Sequence, residues 1–329
     1  MALTAAIFGP ETQAVTEWER GFFREVQPVG FILFARNIDN PDQLQRLTGE
    51  LRDAVGRDAP ILIDQEGGRV QRMRAPHWRE YLPALDQMAR AHDPLRAQWL
   101  RNRLIAAELH AVGIDVNCAP LADIAEADTH PVLRNRLYGD DADTVLAAAR
   151  VCADAHLAGG VLPVLKHIPG YGRARVDSHL DLPRVDAPLA ALENHDFAPF
   201  KALNDIAMGM TAHIVFSAVD ADNPATTSDA VVRLIRHQIG FDGLLMTDDI
   251  SMNALSGTVA DRSAAAIAAG CDVVLHCNGE HAEMPAVADA SGALSALAQS
   301  RLDRALMQRK TPDDIDIPSL EAELDALMN

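Results

Sequence analysis

The chain has 329 residues, 48% of them hydrophobic, and carries 29 Lys+Arg against 47 Asp+Glu for a formal net charge of −18. That length suits one large α/β barrel or two smaller domains, with ample core either way. The acidic balance, with no basic run to offset it, opposes binding to nucleic-acid phosphates or anionic lipid surfaces, so neither nucleic acid nor a membrane is expected as a partner.

Short apolar runs alternate with long amphipathic segments from one end to the other. The runs are Thr4 to Phe8, Gly30 to Phe34, Pro60 to Asp64, Ile114 to Ala119, Val161 to His167, Ala207 to His213, Gly243 to Asp248 and Asp272 to His276. Between them, Asn40-Pro41, Asp93-Pro94, Asp140 to Asp143 and Ser228-Asp229 place a capping side chain, or Pro just inside, ahead of residues at helical spacing. Gly113 and Gly270 follow two of the helical stretches as left-handed caps. Eight strands with helical crossovers predict an α/β fold, a (β/α)8 TIM-type barrel forming a single catalytic domain over residues 1–329. Within it, residues from about 280 to 329 add C-terminal helices, interrupted by T-P-D-D-I-D-I-P-S, that close or flank the barrel. A doubly wound open sheet fits less well, given the strand count and the absence of a G-x-G-x-x-G turn.

Cys118, Cys152, Cys271 and Cys277 show no C-x-x-C spacing and lie in apolar segments, so they are expected as buried, reduced thiols. The N-terminal M-A-L-T-A-A-I-F-G-P lacks the parts of a signal peptide, and no apolar run approaches membrane-spanning length. The expectation is a soluble cytoplasmic protein.

Active sites of such barrels sit at the carboxyl ends of the strands, and the polar residues fall there: Arg36-Asn37, Asp64-Gln65-Glu66, Asp123, Lys166-His167, His213, Asp248-Asp249 and His276. Asp248 ends an apolar strand. Because successive strand residues point to opposite faces, only one of Asp248 and Asp249 is expected to face a substrate; Asp248 is chosen, with Asp249 as a loop anchor. Asp177 and His179 form a D-x-H pair in a loop bracketed by Gly170, Gly172 and Pro183. A carboxylate beside an imidazole raises its proton affinity and fixes its orientation, which suits acid and base work near neutral pH. An Asx-type turn is the plainer alternative. Lys166-His167 reads equally as a barrel-interior ion pair, and His213 as a satisfied core histidine. In D-Q-E-G-G-R-V-Q-R, Asp64 to Arg72, the double Gly permits a tight strand-to-loop turn, while Asp64 and Arg72 carry charges suited to bonding vicinal hydroxyls.

Taken together, I-L-F-A-R-N (Ile32 to Asn37), I-D-Q-E-G-G-R-V-Q-R, K-H-I-P-G-Y-G, D-S-H, M-T-A-H and T-D-D-I-S-M closely resemble glycoside hydrolase family 3, specifically its single-domain β-N-acetylglucosaminidases of peptidoglycan recycling, the NagZ group. The resemblance covers roughly residues 1 to 280. It implies a retaining exo-β-N-acetylglucosaminidase in which Asp248 is the nucleophile that forms a glycosyl-enzyme intermediate. His179, paired with Asp177, is then the general acid and afterwards the base. Asp64, Arg72, Arg136, Lys166 and His167 would hold the sugar, with His213 nearby, and Lys166 and Arg72 would hold Asp248 ionised. Arg134 is the rival to Arg136, because L-R-N-R-L-Y follows the family's I-G-x-R-x-F string only loosely. Ile168 and Tyr171 also depart, standing where Phe and His are usual.

The same resemblance implies no metal and no cofactor. Its substrate is N-acetylglucosamine β-1,4-linked to anhydro-N-acetylmuramic acid, with or without the peptide, and a monomer is the favoured state. A family 3 phosphorylase or β-glucosidase, a metal-dependent barrel hydrolase using His167, His213, Asp248 and His276, and a catalytically inactive sugar-binding barrel are the alternatives.

Overall fold

A computed structural model describes residues 2–176 and 181–329. Ten strands occur among these residues: β1 (Thr4–Phe8), β2 (Pro28–Leu33), β3 (Ile61–Ile63), β4 (Val116–Asn117), β5 (Leu162–Ile168), β6 (Arg184–Val185), β7 (Met208–Thr211), β8 (Val215–Phe216), β9 (Leu244–Asp249) and β10 (Val273–His276). Eight of them close into a parallel barrel in the order β1-β2-β3-β4-β5-β7-β9-β10, while β6 and β8 pair as a short ribbon beside it. Each predicted strand is present. Several are shorter at their ends, because the ladder stops where the loops begin.

The predicted caps act as caps. Asn40, Asp93, Asp141 and Ser228 each accept a hydrogen bond from the backbone three residues on, at 3.0, 3.1, 2.8 and 3.2 Å, filling donors that the first helical turn leaves open. Gly270 closes its helix at φ 107°, and Gly113, at φ 79°, follows the Val112 cap position as the left-handed residue of the other. Thr16 and Thr258 start two further helices with capping boxes that the sequence reading did not use.

The barrel interior is layered by strand alternation. Ile7, Val29, Ile32, Leu62, Val116, Leu162, Val164, Met208, Met210, Leu244, Met246, Val273 and Leu275 pack together inside, while neighbours such as Leu33, Ile63, Leu165 and Leu245 belong to the larger shell under the helices. The helix Ala296–Leu306 closes the amino end of the barrel. Its Leu302 and Ala305 join the interior cluster, and its Arg301 bonds Asp272 at 2.9 Å and Asp242 at 2.9 Å, both just ahead of strands. The last helix, Ile317–Met328, lies outside, tied to the helix Pro94–Ala111 by Arg96–Glu323 at 2.6 Å. All four cysteines are buried free thiols. No helix among the described residues is long and apolar enough to cross a membrane.

Candidate active site

Continuing the inward alternation by one residue beyond the apolar layers places charge on the barrel's carboxyl rim. Leu62 leads to Asp64, Val164 to Lys166, and Leu244 and Met246 to Asp248. These three line one open hollow of about 170 Å³ with Phe34, Arg72, Arg136, His167, Tyr171, Asp249 and Cys277 above a floor of Ile32, Met210 and Leu275. A concave site with an apolar floor and a few convergent polar groups is what a small-molecule pocket requires.

One wall is a charge-compensated cluster. Lys166 Nζ donates to Asp64 Oδ1 at 2.9 Å and lies 2.6 Å from Glu66 Oε1. Arg136 grips Glu66 with two bonds of 2.9 and 2.8 Å, and Arg72 donates to the other oxygen of Asp64 at 3.2 Å. Burial alone would push both acids up, but the surrounding cations prevail: Lys166 and Arg72 hold Asp64 far below its ordinary value, and Arg136 and Lys166 bring Glu66 down to about 2. In return, Lys166 is raised against the cost of its own burial. All of these groups are therefore ionised at neutral pH, with three cations against two anions on this wall.

The D-Q-E-G-G string explains how Arg72 returns to Asp64. Glu66 and Gly67 N–H both donate to the Val70 carbonyl, at 2.8 and 3.1 Å, and the Gln65 amide oxygen accepts from Arg72 and Met73 N–H at 2.8 and 3.1 Å. Gly67 sits at φ 97°, where a Cβ would meet the Arg101 guanidinium at 2.0 Å, so the turn needs glycine there.

A second unit stands beside it. His167 Nδ1 bonds Asp123 Oδ2 at 2.8 Å, and Tyr171 N–H donates to Asp123 Oδ1 at 2.7 Å. A carboxylate only accepts, so Nδ1 carries the hydrogen and Nε2 is left toward the pocket. Tyr171 packs its ring 5.5 Å from that of His167, and Ile168 is fully buried.

Asp248 accepts the Asp249 N–H at 2.8 Å. Burial would raise its pKa, but His213, His167, that N–H and Lys166 together hold it below its ordinary value. The expected support from Lys166 and Arg72 is therefore redistributed: Lys166 contributes last, Arg72 is spent on Asp64, and two histidines do most of the work. Asp249 also reaches the pocket wall, contrary to the strict alternation argument, because the register between β9 and β10 shifts at this end. Its oxygens are nevertheless engaged, by Ser251 N–H and hydroxyl at 3.1 and 2.7 Å and by Cys277 N–H at 3.2 Å.

Other expectations separate in the same way. Arg136 lines the hollow, whereas Arg134 turns to the Glu126 carbonyl. His213 lies behind the wall, with both ring nitrogens engaged by Thr226 and the Asp249 carbonyl. Arg36 and Asn37 bond the Pro10 carbonyl, and His276 bonds Glu283 at 3.0 Å, so these strand-end residues are structural. The four groups of the metal-centre alternative do not converge, and no cluster of three or more His, Cys, Asp or Glu able to hold an ion occurs among the described residues. Asp177 and His179 lie outside the described residues. Glu66 and Asp123 are the polar members that the sequence reading did not assign. Glu66 was within reach, since it shares the face of Asp64 two residues on, but the partner of Asp123 is 44 residues away.

Residues 15–309 match the family described as glycosyl hydrolase family 3 N terminal domain. The chain is 38% identical over 294 residues to a protein named beta-hexosaminidase from Chromobacterium violaceum, covering 87% of this chain and 80% of that one. It is 36% identical over 295 residues to another beta-hexosaminidase, from Alkalilimnicola ehrlichii, covering 87% and 84%. NagZ from Neisseria gonorrhoeae, solved in complex with N-trifluoroacetyl-D-glucosamine, matches with a TM-score of 0.87 at 26% identity, covering 100% of this chain and 99% of that one. An acidic strand end in a polar pocket, on a barrel with these relatives, has one family to go to: the chain belongs to glycosyl hydrolase family 3 and is a glycoside hydrolase.

Proposed function

We propose that this chain is a retaining exo-β-N-acetylglucosaminidase that removes the non-reducing-end N-acetylglucosamine from peptidoglycan fragments, N-acetylglucosaminyl-anhydro-N-acetylmuramic acid with or without its peptide. The observation that carries the reading is Asp248, a carboxylate kept below its ordinary value at the end of β9 in a hollow whose facing wall offers Arg72, Arg136 and Lys166. A carboxylate nucleophile must be ionised to attack, and hydroxyl-rich ligands are held by charged hydrogen-bonding groups. The relatives named beta-hexosaminidase, and the NagZ complex with an N-acylglucosamine analogue, point to the 2-acylamino sugar.

In this mechanism Asp248 attacks C1 of the sugar while protonated His179, supported by Asp177, gives its proton to the leaving oxygen. The bond to the aglycone breaks, and a glycosyl ester of Asp248 forms. Neutral His179 then takes a proton from water, whose oxygen bonds C1 as the ester electrons return to Asp248. Two displacements at one carbon retain its configuration. Asp64, Arg72, Arg136, Lys166 and His167 orient the sugar, and no metal or cofactor enters a step. Residues 1–329 act as one catalytic domain. The four buried thiols suit a reducing compartment, so the proposal puts a monomeric enzyme in the cytoplasm.

Matched aryl β-glycosides of N-acetylglucosamine and glucose test the substrate assignment, with the N-acetylated sugar expected to be the faster; preference for the plain glucoside overturns it. His179→Ala is expected to spare aryl leaving groups that need no proton and to slow those that do. Product analysis in phosphate buffer is expected to give the free sugar rather than its 1-phosphate.

A further inference from the structure

Behind the wall that carries Asp64 and Arg72, the sheet gives out early. The registered pairs of β3 and β4 end at Ile63 and Asn117, the last residues of their strands. The next stretch is held by a side chain. The Gln65 N–H donates to Asn117 Oδ1 at 3.0 Å, and Asn117 Nδ2 donates to the Gln65 carbonyl at 3.1 Å. A backbone N–H only donates and a carbonyl only accepts, so these two contacts fix which end of the amide is which. Asn117 thus offers Gln65 the donor and acceptor that a further strand residue would have supplied.

Asn117 Nδ2 has a second hydrogen, and its neighbour is His156 Nε2, 2.7 Å away on the helix Ala142–Ala158. An amide nitrogen only donates, so Nε2 accepts. The other ring nitrogen, Nδ1, lies 2.8 Å from the Cys152 carbonyl and carries the ring hydrogen. Each role in this chain of bonds is set by a group that can play only one. Burial holds the ring's pKa down at about 4, in keeping with a neutral imidazole at pH 7. His156, Asn117 and Gln65 are all 0% exposed, so bulk water cannot stand in for a lost partner. At the far end, Gln65 Oε1 accepts from the Arg72 and Met73 N–H groups, and Gln65 Nε2 donates to the Met73 carbonyl at 2.9 Å.

We propose that His156 is a positioning residue for the sugar-binding wall: its Nε2 holds the Asn117 amide in the one orientation that clamps Gln65, and through Gln65 it sets where Asp64 and Arg72 stand. The proposal rests on the reading of Asp64 and Arg72 as sugar contacts. Asp64 immediately precedes the clamped residue, and the Arg72 N–H is held by its side chain. With Nε2 removed, a buried N–H of Asn117 has no acceptor, and turning the amide to seek one breaks both bonds to Gln65. Asp248 stands on β9, outside this chain of bonds, so the loss falls on sugar binding rather than on the attack at C1.

Kinetics on an aryl N-acetylglucosaminide test the link. His156→Leu removes the acceptor and is expected to raise KM about 10-fold with kcat within about 2-fold of the unmodified enzyme. His156→Gln, whose amide can accept from Asn117 and donate to Cys152, is expected to recover most of that loss. Arg72→Gln is expected to cost far less when added to His156→Leu than when made alone, because the first change has already displaced the guanidinium. Equal KM values in the Leu and Gln variants, or additive losses with Arg72→Gln, would overturn the proposal; a lowered unfolding temperature with an ordinary KM would do the same. Should His156→Leu not fold, ring-nitrogen NMR of the 15N-labelled unmodified protein decides. A hydrogen on Nδ1 and a lone pair on Nε2 at pH 7 support the clamp, and a hydrogen on Nε2 removes it. The two readings fail separately. A protonated Nε2 ends this proposal and leaves the sugar contacts standing, whereas an ordinary KM in Arg72→Gln ends the sugar-contact reading of Arg72 whatever the ring's state.

Discussion

The two ends of the barrel carry similar charge networks put to opposite uses. At the amino end, Arg301 and Arg236 share Asp272 at 2.9 and 2.7 Å, and the helix Ala296–Leu306 covers the opening with Leu302 and Ala305. At the carboxyl end, Lys166, Arg136 and Arg72 share Asp64 and Glu66 in much the same geometry, but an open hollow lies over them. Density of ion pairs therefore does not mark a site. What differs is not the count, since Arg236, Arg301 and Arg304 against Asp242 and Asp272 also make three cations against two anions; the closed network is covered by its helix, whereas the open one faces a further carboxylate, Asp248, across space that a ligand can fill.

That contrast orders the expected effects. Asp248→Ala is expected to cut turnover by about 10⁴-fold or more while leaving the unfolding temperature nearly unchanged, measured on an aryl N-acetylglucosaminide and by calorimetry. Lys166→Met removes a buried cation shared by Asp64 and Glu66, leaving the first with Arg72 and the second with Arg136, and is expected to cost about 3 kcal/mol of stability in denaturant titration, together with activity. Arg301→Met leaves Asp272 with Arg236 alone and is expected to cost about 2 kcal/mol of stability with kcat/KM of the folded enzyme unchanged. Equal losses of activity from the two ends would erase the distinction between them.

The smallest effect is gradual. Asp64 and Glu66 have folded pKa values below their unfolded ones, so their contribution to stability is full above the ordinary carboxylate range and is lost as pH falls through the folded values, near 2 for Glu66. Stability should decline from about pH 4.5 downward by at most about 1.4 kcal/mol per pH unit for each group, and Glu66→Gln should flatten that slope. An unchanged slope would mean that other carboxylates set the acid limit.

The barrel was legible in the sequence because each strand is an apolar run and the four predicted caps are local signals. The helix that closes the amino end was legible only as a helix, since nothing local says that Leu302 faces the barrel interior. At the candidate site, strand-end residues could be listed from the sequence, but their pairing could not. Lys166 reaches back about a hundred residues to Asp64, Arg136 seventy to Glu66 and His167 forty-four to Asp123. Hence strand-end position alone points Lys166 and Arg72 at Asp248, although both are paired with the Asp64 and Glu66 carboxylates, and it gives no sign of the two histidines beside Asp248. His213 shows the same limit: its environment depends on Thr226, whose place beside it is set by packing that no spacing in the sequence encodes.

The central claim, that Asp248 forms a bond to the sugar, is tested most directly by mass spectrometry of the enzyme after reaction with a slow-turnover 5-fluoro-N-acetylglucosaminyl fluoride. The account predicts one added glycosyl group, located by peptide mapping on Asp248. A label on another residue, or an unlabelled enzyme that releases product of inverted configuration, would contradict it.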